Sequence, residues 1–306
     1  MSGVFEDVHV NHEALIFRGG RIYPESFVAG SAHATHYHRL SRYTWFLLKN
    51  YWLRRGEVSI RSGLWAIDNY SPENYYHWMI DVLPRLLQAE EDHPGERVLL
   101  LPRYYHASPY IGFSLRAFPH IERIRWIAAR SKTRVERLAY VARQSDDALP
   151  DRVVEVARRM TELAGAAGTA RRIYFTRDDA KRRRASNEAD VARVLRQHDI
   201  EVHRIDPSRP WEQIRAGLGA NLIVGVHGAA LTNVIFMRPG ARLLELRHRH
   251  ERYFADHYRP LAAMVGIEYQ RQYCELAHPA EGLAINDADL VVDLDLLREN
   301  LRLAGC

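Results

Sequence analysis

Short apolar runs alternate with small-residue turns along this chain, and the rhythm changes about halfway. Over residues 1–65, brief runs at 14–17 and 58–60 stand between Gly and Pro signals, which predicts a β-rich start. The apolar spacing through residues 74–85 predicts a helix. Residues 97–102 read as a buried strand ending at Pro102, and 124–128 and 138–141 as two further strands. Pro150 introduces a helix over 151–164, capped by Asp151, with Arg158 and Arg159 on its solvated face.

Beyond a small-residue linker at 165–169 the alternation becomes regular. Strands are expected at 172–176 and 200–205, helices at 188–197 and 210–218, and then two buried strands at 222–224 and 242–246. A helix over 253–265 follows, and residues 290–303 carry helical spacing. Strands alternating with helices predict an α/β chain with parallel sheets and right-handed crossovers. The expected plan is an N-terminal α/β domain over 1–165 and a Rossmann-like domain over 170–280. A C-terminal segment over 281–306 is expected to pack back toward the first domain. At 306 residues, two domains suit the chain better than one core.

The most informative stretch is Gly225-Val226-His227-Gly228-Ala229-Ala230-Leu231-Thr232-Asn233. It leaves a buried strand through a small-residue turn and opens a helix, which presents backbone N–H groups and a positive dipole end to a phosphate. His227 lies in that turn, where it can donate to the same anion. After Pro239-Gly240, Glu245 falls on the next strand, near the carboxyl end where open α/β sheets bind ligands. A second constellation is Asn74-Tyr75-Tyr76-His77-Trp78-Met79-Ile80-Asp81-Val82-Leu83-Pro84-Arg85. Its His77 and Asp81 share a helix face, and ionisable groups among such apolar neighbours need partners. A third strand end, Tyr174-Phe175-Thr176-Arg177, leads to Arg183 and then Asn187-Glu188.

Taken in order, these blocks resemble glycosyltransferase family 61. The family pattern Asn-Tyr-x-His-Trp-x-x-(Asp/Glu)-x-x-Pro-Arg is matched by Asn74 to Arg85. Its paired arginines and Asn-Glu are matched by Arg177, Arg183, Asn187 and Glu188, and a Gln before the last block by Gln213. Its His-Gly-Ala-Gly-Leu-Thr-Asn is matched by His227 to Asn233, with Ala230 where the family has Gly. The likeness spans residues 60 to 250. It implies a GT-B-like architecture, two Rossmann-like domains facing across a cleft. It also implies inverting, metal-independent transfer of a sugar from a UDP-linked nucleotide sugar to a glycan or glycolipid acceptor, in polysaccharide or glycoconjugate biosynthesis. His77 and Asp81 would supply the base. Arg177, Arg183, Asn187, Glu188, His227, Gly228, Ala229, Ala230, Leu231, Asn233 and Glu245 would hold the donor, with Glu245 on the ribose. Asn74, Tyr76, Trp78 and Arg85 would line the acceptor side. Two other readings stand beside it: a non-catalytic nucleotide-sugar-binding protein and a nucleotide-sugar epimerase.

Composition narrows the picture modestly. Hydrophobic residues at 47% and charged residues at 26% are ordinary globular values. A net charge of +5 and a pI near 9.2 favour anionic ligands in general. Cys274 and Cys306 make neither a disulfide framework nor a metal-ligand spacing. No signal peptide is expected, and no run approaches about eighteen apolar residues, so membrane contact is expected to be peripheral at most, at the inner face of a cytoplasmic protein. Gly217-x-Gly219 ends a helix and lacks a third glycine, which excludes a dinucleotide fingerprint. The pairs Asp287-x-Asp289 and Asp293-x-Asp295 read as solvated faces, and His33, His36 and His38 as an exposed loop. Lys181-Arg182-Arg183-Arg184 lacks the aromatic interleaving of a nucleic-acid surface, so no nucleic-acid partner is expected, and Arg182 and Arg184 read as solvated. Trp45, Trp52, Trp65 and Trp78 are expected mainly in the core.

Overall fold

The computed structural model describes residues 2–28, 39–53, 56–69, 74–129, 131–143, 149–249 and 256–305. His33, His36 and His38 lie outside them. The chain divides into two units, 1–152 and 153–306. The boundary falls earlier than the residue composition suggests. The small-residue stretch at 165–169 is not a linker: Gly168 N–H donates to Arg215 O (2.8 Å), and a Cβ on Gly219 would sit 2.3 Å from Gly168 O.

The first unit is built on a seven-stranded mixed sheet ordered β3-β2-β1-β7-β4-β5-β6. Its strands are β1 (Gly3–Asn11), β2 (Ile16–Arg18), β3 (Arg21–Ile22), β4 (Gly56–Trp65), β5 (Val98–Pro102), β6 (Arg123–Ile127) and β7 (Ser131–Tyr140). β7, β4, β5 and β6 run parallel, and the first three strands add an antiparallel edge through β1 on β7. That edge makes the unit a mixed α/β layer instead of the purely Rossmann-like one expected. Residues 1–65 also contain a helix the β-rich reading misses, α1 (Leu40–Leu47), which runs on as a π turn over Leu48–Leu53. Phe46 packs with Leu15 and Phe17, and Asn50 Oδ1 accepts from Asn11 Nδ2 (3.0 Å). The block at residue 75 is helical as expected, in two pieces: α2 (Tyr75–His77) and α3 (Leu83–Asp92) flank a π turn over Trp78–Val82. A further helix, α4 (Pro109–Leu115), follows β5.

The second unit opens with α5 (Leu149–Ala164), whose Val153, Val156, Ala157, Met160 and Ala164 are buried at helical spacing. It starts two residues before Asp151, which therefore sits in the first turn and is not its cap. Six strands follow: β8 (Arg172–Phe175), β9 (Glu201–His203), β10 (Leu222–Val226), β11 (Arg242–His248), β12 (Glu268–Leu276) and β13 (Leu290–Val291). The sheet order is β13-β12-β11-β10-β8-β9, parallel except for β13. Helices α6 (Glu188–Gln197), α7 (Pro210–Gly219) and α8 (Tyr258–Met264) alternate with the strands. Counting from β8, the parallel order is 2-1-3-4-5, the doubly wound arrangement whose direction reverses between its first and third strands. Every residue of β10 is buried, as a central parallel strand requires.

β12 lies in a stretch where no strand is expected. The C-terminal segment ends in helix α9 (Leu294–Leu303). Leu297 and Leu301 close the second unit's own core, with Val191, Leu195, Tyr174 and Cys274. Cys274 is buried there, and that burial pushes its thiol up to about 12.

Candidate active site

In the first unit the chemistry gathers on the π turn. Pro84, at the second position of α3, has no N–H to give the carbonyl four residues back, and its ring crowds that carbonyl. The helix answers with one wide turn, in which Leu83 N–H donates to Trp78 O, five residues back. Within this turn His77 Nδ1 lies 2.5 Å from Asp81 Oδ2. Asp81 also pairs with Arg143, just past the end of β7. Arg143 in turn forms a two-pronged contact with Asp68, at 3.0 Å on each oxygen, and Asp68 pairs with Arg85 (2.5 Å). Although burial alone would raise Asp68, Arg85 and Arg143 hold it far below the carboxylate range. The result is an alternating chain of charge, Arg85–Asp68–Arg143–Asp81, that ends on the His77 ring. As a carboxylate shared with Arg143, Asp81 accepts, so His77 Nδ1 donates and Nε2 is the basic nitrogen.

Two residues expected on the acceptor side have other tasks. Trp78 is fully buried and its Nε1–H donates to Ser114 Oγ (2.8 Å), anchoring the π turn to α4. Arg85 is also fully buried, donating to Ala66 O (2.9 Å) as well as Asp68. Both support the His77 block from inside the first unit. Asn74 caps α2, its Oδ1 accepting from Tyr76 N–H (2.9 Å). Tyr76 is half-buried, and burial beside Asp81 raises its hydroxyl well above its ordinary value.

In the second unit the site assembles at the carboxyl ends of β8 and β10, the pair of strands at the reversal point. β8 delivers Arg177, and β10 delivers His227 and Gly228. Arg177 Nε donates to Arg183 O (3.0 Å) and Nη2 to Arg182 O (3.1 Å), so this guanidinium gathers the 177–183 loop around itself. Its Nη1 lies over Gly228, where a Cβ would stand 2.3 Å away. Gly228 is extended (φ 169°), so its glycine answers to space for Arg177 and not to backbone handedness. Its carbonyl accepts from Tyr258 Oη (2.6 Å).

The basic run at 181–184 splits by direction. Arg182 pairs with Asp287 (2.9 Å) and Arg184 with Asp289 (2.9 Å), so neither is merely solvated, and those two aspartates are not idle. Asp293, read with them as a solvated face, caps α9 through Asp295 N–H and Leu296 N–H. Arg183 takes the left-handed region (φ +56°), a conformation costly for any residue with a Cβ and concentrated at functional positions. Burial lowers both Arg177 and Arg183, and the neighbouring Arg177 and Arg182 cations depress Arg183 further. Two half-desolvated guanidinium groups held together are an arrangement that a multiply charged anion relieves.

His227 Nδ1 donates to Glu245, whose other oxygen accepts from Tyr269 Oη. Tyr269 Oη itself accepts from Arg271 Nε (2.7 Å). Glu245, expected on the ribose, is fully buried with both oxygens engaged, and it orients His227. Burial lowers His227 below 6.5 despite Glu245, so the ring is neutral near pH 7. Asn187 and Glu188, expected on the donor, hold the loop after β8 through their own hydrogen bonds. Asn187 brackets the Val292 peptide (2.9 and 3.0 Å), while Glu188 accepts from Tyr174 Oη (2.8 Å) and Thr176 Oγ1 (2.5 Å). Leu231 and Asn233 are fully buried, Asn233 donating to Gln213 Oε1 (3.0 Å) and Ala230 O (2.9 Å). Ala229 and Ala230 are half-buried at the opening of a 3-10 helix over Ala229–Phe236.

The order in which these groups occur along the chain is that of a known family. A family model described as glycosyltransferase 61 matches residues 75–244, more than half of the chain. The chain belongs to glycosyltransferase family 61. Membership implies glycosyltransferase activity, with a sugar donor and a glycan acceptor as the partners. The matched span of this family 61 chain runs from the His77 helix into β11, and so includes His77, Asp81, Arg177, Arg183, His227 and Gly228. No curated protein matches the chain. Sequence reasoning missed Asp68, Arg143, Tyr258 and Tyr269. Arg143 and Asp68 each follow a strand's buried end, and strand ends were the one signal available for them.

Proposed function

We propose that this family 61 chain is an inverting glycosyltransferase of the GT-B class. In this reading it moves a sugar from a nucleoside diphosphate to a glycan or glycolipid hydroxyl during glycoconjugate synthesis. The observation that carries the reading is the cluster of Arg177, Arg183, His227 and Gly228 at the reversal point of the second sheet. The leaving nucleoside diphosphate gains charge as the glycosidic bond breaks, and fixed cations in a partly desolvated site stabilise that charge most. Arg177 and Arg183 do here what a divalent ion does in other transferases. His77 Nε2 takes the proton from the acceptor hydroxyl as that oxygen attacks the anomeric carbon on the face opposite the leaving group. Asp81, neutralised by Arg143, fixes the ring and stabilises the imidazolium that forms.

The test combines titration of UDP with a transfer assay. Arg177→Ala should weaken UDP binding by about ten- to a hundred-fold, the 1.5–3 kcal/mol of a charge-assisted contact, while Arg182→Ala changes it little. His77→Ala should keep UDP affinity and lose about a hundred- to ten-thousand-fold in transfer rate. Equal effects at Arg177 and Arg182 would mean a diffuse basic surface. Loss of UDP binding in His77→Ala would remove the base assignment.

A further inference from the structure

The helix α1 and the π turn that continues it are apolar on both sides. The inner side is accounted for by the first unit: Phe46 is buried with Leu15 and Phe17, Tyr43 and Leu47 pack against that cluster, and Asn50 is tied to Asn11. The outer side is not spent on the fold. Trp52 is 78% exposed, Leu40 80%, Leu53 56% and Trp45 50%, with Leu48 beside them. Trp45, Leu48 and Trp52 are spaced by three and four residues, so they form one stripe along the outer face. Exposed rings and leucines in one contiguous stripe mark an interaction surface, unlike scattered single apolar residues.

The charge around the stripe says what fits it. From Ser26 to Gly56 the sequence holds five Lys or Arg residues (39, 42, 49, 54 and 55) and no Asp or Glu. Arg39 and Arg42 are exposed beside the stripe, and Lys49 is engaged with Glu13. Tryptophan and leucine outward, cations at the border and no acid within the segment itself are the features of a helix lying in a bilayer interface. No described helix is long and apolar enough to cross a membrane, which leaves the in-plane mode for this one. We propose that α1 and its π turn form a membrane-docking face that seats Trp45, Leu48 and Trp52 among the acyl chains of an anionic bilayer, with Arg39 and Arg42 on lipid phosphates. The proposal stands on this surface alone and is independent of the glycosyltransferase chemistry.

Flotation of the full chain with vesicles tests it, using phosphatidylcholine alone and phosphatidylcholine mixed with phosphatidylglycerol. The full chain should float with the anionic vesicles and much less with the neutral ones. Trp45→Ser with Trp52→Ser should lower the bound fraction about tenfold or more, since each removes a buried ring from the interface. Trp52→Ser alone, at the most exposed ring, should give an intermediate loss with an unchanged melting temperature. Brominated acyl chains should quench the native tryptophan emission, a readout that needs no variant. Absence of flotation and quenching with the anionic vesicles overturns the proposal. So does a self-associated species in solution that Trp45→Ser with Trp52→Ser converts to monomer without any change in vesicle binding, because the stripe would then belong to a second copy.

Discussion

Single side chains decide the chemistry, and His227 shows how. Its Nδ1–H is committed to Glu245, so the neutral ring offers a diphosphate only an acceptor at Nε2; it becomes a donor there when protonated. Burial holds the ring below 6.5, and a bound diphosphate would raise it. UDP binding should therefore take up a proton, with affinity falling about tenfold per pH unit as the pH rises above the ring's value in the free protein. Calorimetry in two buffers of different ionisation enthalpy measures that uptake, and His227→Asn should abolish it; UDP affinity independent of pH would show that His227 stays neutral in the complex. The depressed value also fixes the sign for stability. Between 6.5 and the lower folded value the unfolded chain holds more protons, so acid weakens the fold across that window. His77, Asp81, Arg177 and His227 could be picked from the sequence because ionisable groups at strand ends or among apolar neighbours need a reason to be there. The loop hydrogen bonds of Glu188, Asn187 and Glu245 could not be read there, since a polar side chain that grips a loop and one that grips a ligand have the same spacing.

At the level of elements, the turns that carry the two clusters, one in each unit, are made in different ways. The π turn at Trp78–Val82 follows from Pro84, and the sequence shows that proline plainly while leaving open whether the helix kinks, ends or widens. The turn after β10 depends on Gly228, whose place in a strand–turn–helix corner is visible from the sequence but whose neighbour Arg177 comes from some fifty residues earlier. Gly228→Ala tests that neighbour. The backbone is extended there, so the methyl brings no conformational penalty; its only conflict is with the Arg177 guanidinium. UDP affinity should fall about as far as in Arg177→Ala, roughly tenfold or more, and the double variant should be no weaker than either single one. Titration of UDP into all three proteins checks this, and additive losses would mean that the two residues act separately. The strands β8, β10 and β11 and the helix α6 were readable because buried parallel strands and amphipathic helices leave clear periods. β12 was not, because Glu268, Gln270, Arg271 and Gln272 break up its apolar content.

For the whole molecule, alternation of strand and helix predicted an α/β chain, and both units have parallel-rich sheets. The division between them was misplaced because small residues at 165–169 look like a linker; they are small so that the backbone can lie against α7. Helix α1 was hidden for the opposite reason, since aromatic and leucine residues on both its sides erase the amphipathic period. Each unit encloses its own core, and the second holds Cys274 inside its sheet. A thiol held at about 12 stays protonated and does not react with alkylating reagents until the strands around it part. The second unit thus carries its own clock. In a Cys306→Ser background, the rate at which iodoacetamide modifies Cys274 counts openings of the sheet, and UDP at a hundred times its Kd should slow that count by about a hundredfold. A rate indifferent to UDP would place the nucleotide elsewhere; a slowed one would turn a buried sulfur with no part in catalysis into a direct gauge of donor occupancy.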